Sequence, residues 1–211
     1  MSNSNLFTAV GTSRTFANLV RSFSLDSKAV LDVGCSEGHY LQCFGAGSVG
    51  VTIIEEHAEE AKRRGLSVVL KNVEDPAFAM EKAFDVVWAN NLFEHLHAPH
   101  LFLTKMREQV TDNGTLILGV PVIPFFSFLT RFKKFRGAYA VSHVNFFSRK
   151  TLIETVRVSG WHIKEARLFY FKNPFLDSCL NLIAPHIYIV AVKKERFEYA
   201  EKRLRSLKGY S

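Results

Sequence analysis

Cysteine is scarce in this chain. Its 211 residues include three, Cys35, Cys43 and Cys179, with no CxxC spacing. An odd number so placed argues against both a disulfide framework and a thiolate zinc site. Long apolar runs are missing as well. The longest uncharged stretch contains residues 115–130 and is broken by Pro121 and Pro124, which does not suit a bilayer-crossing helix. The opening MSNSNLFTAVGTSRTF lacks a basic segment followed by an apolar core. No secretory signal is read there, and a cytoplasmic location is expected. Acidic residues are missing from one region in particular: none lies between Asp112 and Glu154, where Arg131, Lys133, Lys134, Arg136, Arg149 and Lys150 all fall. Residues 193–208 add seven basic residues against three acidic ones, so the net charge of +7 belongs to the later half. A positive field of this kind attracts an anionic substrate, a membrane surface or nucleic acid.

With 47% hydrophobic and 22% charged residues, 19 of them Phe, the composition is that of a folded globular chain. One domain over residues 1–211 is expected. Phe16, Leu19, Val20 and Phe23 fall at helical spacing and predict a helical cap within residues 1–28. Residues 29–33 form an apolar run that ends in Gly34-Cys35-Ser36-Glu37-Gly38, and residues 39–44 then read as a helix. Further strands are predicted at residues 48–54, 67–71, 84–89, 115–120, 161–170 and 186–192. Helices are predicted at 55–64, 99–110 and from a Ser148 cap to near Gly160. Strands alternating with helices at short spacing indicate a mainly parallel sheet covered on both faces, and such sheets bind ligands at the carboxyl ends of their strands.

The glycine loop between strand and helix suits close approach of an anion or ligand to the backbone. GCSEG is not GxGxxG, because Ser36 stands where the second glycine would be, which disfavours a nicotinamide dinucleotide. Five ordered segments carry a stronger signal: VLDVGCSEG, VGVTIIEEHAEEAKRRG, FDVVWANNLFEHL, DNGTLILGVP and HVNFFSRKTLIETVRVSGW. Together they resemble the class I methyltransferases, in particular the group with an EHL signature after the fourth strand. The resemblance implies an α/β, Rossmann-like fold with a seven-stranded, mainly parallel sheet whose last strand is antiparallel. It also implies S-adenosylmethionine as cofactor.

Carried over by position, Asp32 would orient the methionine amino group. Gly34 and Gly38, with Cys35 in the same loop, would admit the methionine moiety. The family usually has an acidic residue at the end of the second strand to grip the ribose. Thr52 holds that place here, with Glu55 or Glu56 as substitutes. Asn72 and Val73, followed by Glu74, match the stretch that edges the adenine, and Asn90 and Asn91 would border the methyl donor. For proton removal from an acceptor, His95 is the first candidate and His143 the second. Glu94, His95 and His143 partly resemble the metal site of the small-RNA 3′-terminal 2′-O-methyltransferases. Those enzymes carry ExxEH, whereas Asn91 replaces the first carboxylate here, so no metal is expected.

Residues 121–142 interrupt the strand–helix alternation and are read as a substrate lid. Phe125, Phe128, Leu129, Phe132 and Phe135 fit one face of a helix, flanked by the four basic residues at 131–136. Such a helix would meet an apolar, anionic or lipid-linked acceptor, or rest on an anionic membrane, unless its Phe residues close the domain's own core. The expected function is methyl transfer, to oxygen first, of a small molecule or a glycan- or lipid-linked metabolite. RNA methylation is the alternative within enzymes, and nucleic acid is the weaker partner. A non-catalytic cofactor-binding or membrane-associated protein is the alternative outside them.

Overall fold

The computed structural model describes residues 10–195, 197 and 198, so residues 1–9 of the expected cap and the greater part of the basic segment 193–208 lie outside the described residues. Strand β1 (Val30–Val33) is buried along its whole length, which is why it reads as a near-continuous apolar run. It lies at the centre of the sheet, between β2 (Val49–Thr52) and β4 (Phe84–Asn90), both parallel to it. With β3 (Val68–Leu70), β5 (Val110–Ile123), β7 (Trp161–Arg167) and β8 (His186–Lys193), the order is β3-β2-β1-β4-β5-β8-β7. The last strand, β8, runs antiparallel to both β5 and β7. A two-residue strand, β6 (Phe147–Ser148), adds an eighth member beside the end of β5.

Helices cover both faces. On one, α1 (Arg14–Phe23) is started by Ser13, whose Oγ accepts the Phe16 N–H at 3.3 Å. Phe16 and Leu19 pack there with Val30, Val86, Trp88 and Tyr188. On the other, α3 (Pro99–Gln109) and α4 (Arg149–Val158) bury Phe102, Leu103, Met106, Leu152 and Val156 against Leu31, Val87, Leu116 and Ile189. Ser148 and Thr151 bond reciprocally as a capping box at the start of α4. Helix α2 (Glu55–Arg63) ends before Gly65, whose φ of +80° suits a glycine.

Three local expectations change. Residues 39–44 form no α-helix, only a 3₁₀ turn at Leu41–Cys43. Six residues cannot sustain a helix when Gly45 must follow with its backbone pressed on Lys28, where an added Cβ would sit 2.5 Å from the Lys28 nitrogen. The insert 121–142 is not one amphipathic helix either. Strand β5 continues to Ile123, and three 3₁₀ turns follow, Ser127–Arg131, Lys133–Phe135 and Gly137–Tyr139. Phe132 is extended (φ −90°, ψ 135°) and splits the segment, in a stretch whose aromatic, Ser and Thr residues are weak helix formers. Phe125, Phe128 and Phe132 are 76%, 58% and 60% exposed, so they do not close the core.

The third change is an added helix, α5 (Pro174–Leu180), capped by Asn173, whose Oδ1 accepts the Phe175 N–H at 2.9 Å. Its Asp177 is fully buried, bonding Arg167 Nη1 at 2.5 Å and the Phe171 N–H at 2.9 Å. Removing one partner of a buried ion pair leaves the other charge poorly compensated. Without Asp177 the Arg167 guanidinium keeps, among the described residues, only the Glu165 carboxylate, whose Oε2 accepts its Nε–H at 2.6 Å. Asp177→Ala is therefore expected to lower the unfolding free energy by about 2–4 kcal/mol in urea titration. A loss below about 1 kcal/mol, the worth of an exposed pair, would show that this bond does not hold α5 to the sheet.

Candidate active site

Because β1, β2, β4 and β5 run parallel, the loops leaving their carboxyl ends meet on one edge. Gly34 and Cys35 N–H groups both donate to the Val51 carbonyl, at 2.9 and 3.0 Å, and fold the β1 loop over β2. Gly34 has a φ of +77°, and a Cβ there would meet Leu92 Cδ1 at 3.2 Å. Gly38, at φ +84°, packs on Leu66.

Two cavities flank this loop and share Gly34 and Ser36. One, of about 510 Å³, is bordered by Asp32, Cys35, Tyr40, Asn90 and Asn91. The other, of about 340 Å³, is bordered by Thr52, Asn72, Val73, Leu92 and His95. Every cofactor residue picked from the sequence except Gly38 thus lines one of the two, while Glu55 and Glu56 line neither.

Asp32 is 2% exposed, and its Oδ2 has no hydrogen-bond partner among the described residues. Burial raises its carboxyl to about 8, against a smaller opposing bond from the Leu41 backbone N–H. A cationic amino group is the partner that such a carboxylate lacks. Asn90 donates from Nδ2 to the Tyr40 hydroxyl at 3.1 Å, and its buried Oδ1 has no partner among the described residues. Asn91 takes a left-handed backbone (φ 52°) and accepts the His186 Nε2–H at 3.0 Å. Burial lowers His186 to about 4, keeping it a neutral donor. Thr52 is buried, its Oγ1 accepting the Ile54 N–H at 3.2 Å, which leaves its own hydroxyl proton to donate. Asn72 Oδ1 accepts the Glu74 N–H at 2.9 Å, Val73 is buried, and burial pushes the Cys35 thiol up.

The 3₁₀ turn Phe93–His95 follows β4, and the returning end of the insert clasps it. Val144 and Asn145 N–H groups both donate to the Glu94 carbonyl at 3.0 Å, and Asn145 Nδ2 donates to Leu96 O at 2.6 Å. The clasp brings His143 against His95, with ring centroids 4.7 Å apart. A carbonyl only accepts, so His95 Nδ1–H donates to Ser142 O at 3.0 Å and His143 Nδ1–H to Ala138 O at 3.1 Å. Both Nε2 atoms then face Glu94 Oε1, at 3.9 and 3.8 Å. Burial pushes the Glu94 carboxyl up, its own backbone N–H and the two imidazoles pulling the other way. Tyr40 and His186 went unread as site residues, although the βα position of Tyr40 was a signal that could have found it.

A Mesorhizobium loti S-adenosylmethionine-dependent methyltransferase shares this fold, with a TM-score of 0.63 over 87% of this chain and all of that one, at 12% identity. The fold and the matching family model together define a class I S-adenosylmethionine-dependent methyltransferase. The chain belongs to a methyltransferase-domain family, whose sequence model matches residues 11–166. A ubiquinone biosynthesis O-methyltransferase of Azorhizobium caulinodans is 34% identical over 121 residues, 48% of this chain and 46% of that protein. An (S)-coclaurine N-methyltransferase of Papaver somniferum is 31% identical over 106 residues, 44% of this chain and 29% of that protein. The chain thus spans less than half the length of either enzyme.

Asp32 is ordinary at 3.8 and raised to about 8 in the fold. Its contribution to stability is then fully present below about 4 and lost as pH climbs to about 8. Asp32→Asn should leave the ligand-free protein little changed at pH 4 but raise its melting temperature at pH 8 by more than about 2 °C. Calorimetric scans at the two values check this. A difference independent of pH would mean that Asp32 is not strained in its ionised form.

Proposed function

We propose that the chain methylates a hydroxyl oxygen on a small or glycan- or lipid-linked acceptor with apolar and anionic parts. The observation that carries this reading is the pair of imidazoles whose Nε2 lone pairs turn toward Glu94, one of which, His95, lines the cavity bordered by Thr52 and Asn72. The bound cofactor supplies an electrophilic methyl on a sulfonium, which leaves as a neutral thioether. The protein has to align donor and acceptor and exclude water. Asp32 takes the amino group, Gly34 and Cys35 let the methionine moiety lie on the backbone, and Thr52 donates its hydroxyl to the ribose. Asn72 and Val73 edge the adenine, while Asn90 and Asn91 border the methyl.

A hydroxyl acceptor must give up a proton as it attacks, and His95 and His143 hold that hydroxyl and draw the proton off. One named relative methylates oxygen and the other nitrogen, so this proton-handling pair is what favours oxygen. The insert supports the acceptor class, since it exposes Phe125, Phe128 and Phe132 beside Arg131, Lys133, Lys134 and Arg136. A cavity of about 710 Å³ between the insert and α5, lined by Phe125, Arg149 and Lys150, offers the same mix of apolar surface and positive charge. An anionic membrane surface would meet the same residues.

Mass spectrometry of a cell extract incubated with the protein and isotopically labelled S-adenosylmethionine identifies the acceptor. His95→Ala is expected to cut turnover of that acceptor by about 10²-fold or more while leaving cofactor affinity within a factor of a few. Near-normal turnover, or a label on nitrogen or carbon, would contradict the reading.

A further inference from the structure

Glu94, His95 and His143 each offer a ligand atom, and these three atoms lie within 4.8 Å of one another. At 3.9 and 3.8 Å the two imidazole–carboxylate approaches are too long for direct hydrogen bonds. Three lone-pair-bearing atoms therefore converge on a point without satisfying each other. Glu94 is 1% exposed, and its second oxygen, Oε2, has no hydrogen-bond partner among the described residues. Each imidazole spends its Nδ1–H on a backbone carbonyl behind it, the outward bond that metal-bound histidines make and that turns Nε2 toward an ion.

From this geometry we propose that Glu94, His95 and His143 bind one divalent first-row transition-metal ion. Ligands about 2.0–2.2 Å from an ion stand up to about 4.2 Å apart, which the separations from Glu94 already meet. Two imidazoles and one carboxylate suit zinc, iron(II), manganese or cobalt better than magnesium or calcium. Three protein ligands with an open side are the pattern of a reactive rather than a structural metal, and His95 forms that side at 36% side-chain exposure. The Asn91 substitution, which argued against a metal from sequence, does not remove a ligand from this set. The Asn91 side chain faces His186 instead, and the three ligands converge without it. The clasp of Val144 and Asn145 on the Glu94 carbonyl holds the histidines in place before any ion arrives.

This deepens the proton-handling role proposed for the two histidines and rests on their place beside the acceptor. With the ion bound, they act through it rather than as free bases, and an acceptor hydroxyl on its open side is acidified by the cation. Binding itself needs neither acceptor nor cofactor. The full chain, stripped with chelator and dialysed, is titrated with Co²⁺ while the visible d–d bands are followed, and with Zn²⁺ by calorimetry. One ion per chain with Kd in the micromolar range or below is expected. His143→Ala and His95→Asn should each weaken binding by about 100-fold, and His162→Ala, on exposed strand surface, should not. Circular dichroism confirms that each variant folds. Absence of d–d bands in the wild type, or one-to-one binding unchanged by His143→Ala and His95→Asn, would overturn the site. Metal binding lost in these variants but no labelled acceptor would leave the site standing and sink the acceptor reading alone.

Discussion

The parallel pairing of β1 with β4 is the constraint on which the rest of the molecule turns. Its register sets Asp32 opposite Trp88 and Val33 opposite Ala89, so both chains leave the sheet at the same edge. From there β1 must fold over β2 through Gly34, and β4 must turn through the left-handed Asn91 into the segment that carries Glu94 and His95. Strand β5 extends the edge into the aromatic insert, and the antiparallel β8 delivers His186 to the same place opposite Pro121. A one-residue slip between β1 and β4 would exchange the faces of every residue on one strand and dissolve the site along with the core.

Stability and function pull apart along that edge. Asp32 Oδ2, Asn90 Oδ1 and Glu94 Oε2 are buried and have no hydrogen-bond partner among the described residues. An unsatisfied buried polar atom costs about 1–3 kcal/mol, and more if charged. The apolar packing of Leu31, Val87, Phe102 and Leu116 beneath them offsets that cost. Asp32 and Asn90 border one cavity, and such atoms are where a ligand has most to contribute.

The sheet was legible in the sequence because parallel strands covered on both faces are short apolar runs bounded by turns, as at β1 and β4. The glycine loop was legible for the same reason, since its place follows from the strand it ends, while Asp32 was singled out by the resemblance to the family. What the sequence hid depended on packing at a distance. The segment after Gly38 has the apolar spacing of a helix, but the close fit of Gly45 on Lys28 stops it. The Phe stripe of the insert has helical spacing, but Phe125, Phe128 and Phe132 stay exposed, and the stripe breaks at Phe132. Helix α5 went unread, although Asn173-Pro174 is a start signal for it, and its anchor, Asp177 on Arg167, is a pairing across ten residues that periodicity cannot show. Glu94, His95 and His143 were grouped in the sequence only through a partial resemblance to a metal site. The convergence of the two imidazoles on one carboxylate depends on backbone hydrogen bonds to the Glu94 carbonyl, which leave no pattern in the side chains.

The central claim is that the cofactor lies across the β1 loop with its amino group on Asp32. A crystal structure of the chain with S-adenosylhomocysteine tests it most directly. The account predicts the ligand's amino nitrogen within about 3 Å of an Asp32 oxygen, its ribose beside Thr52 and its adenine against Val73. A ligand bound away from the Gly34 loop, or one whose amino group faces away from Asp32, would contradict it.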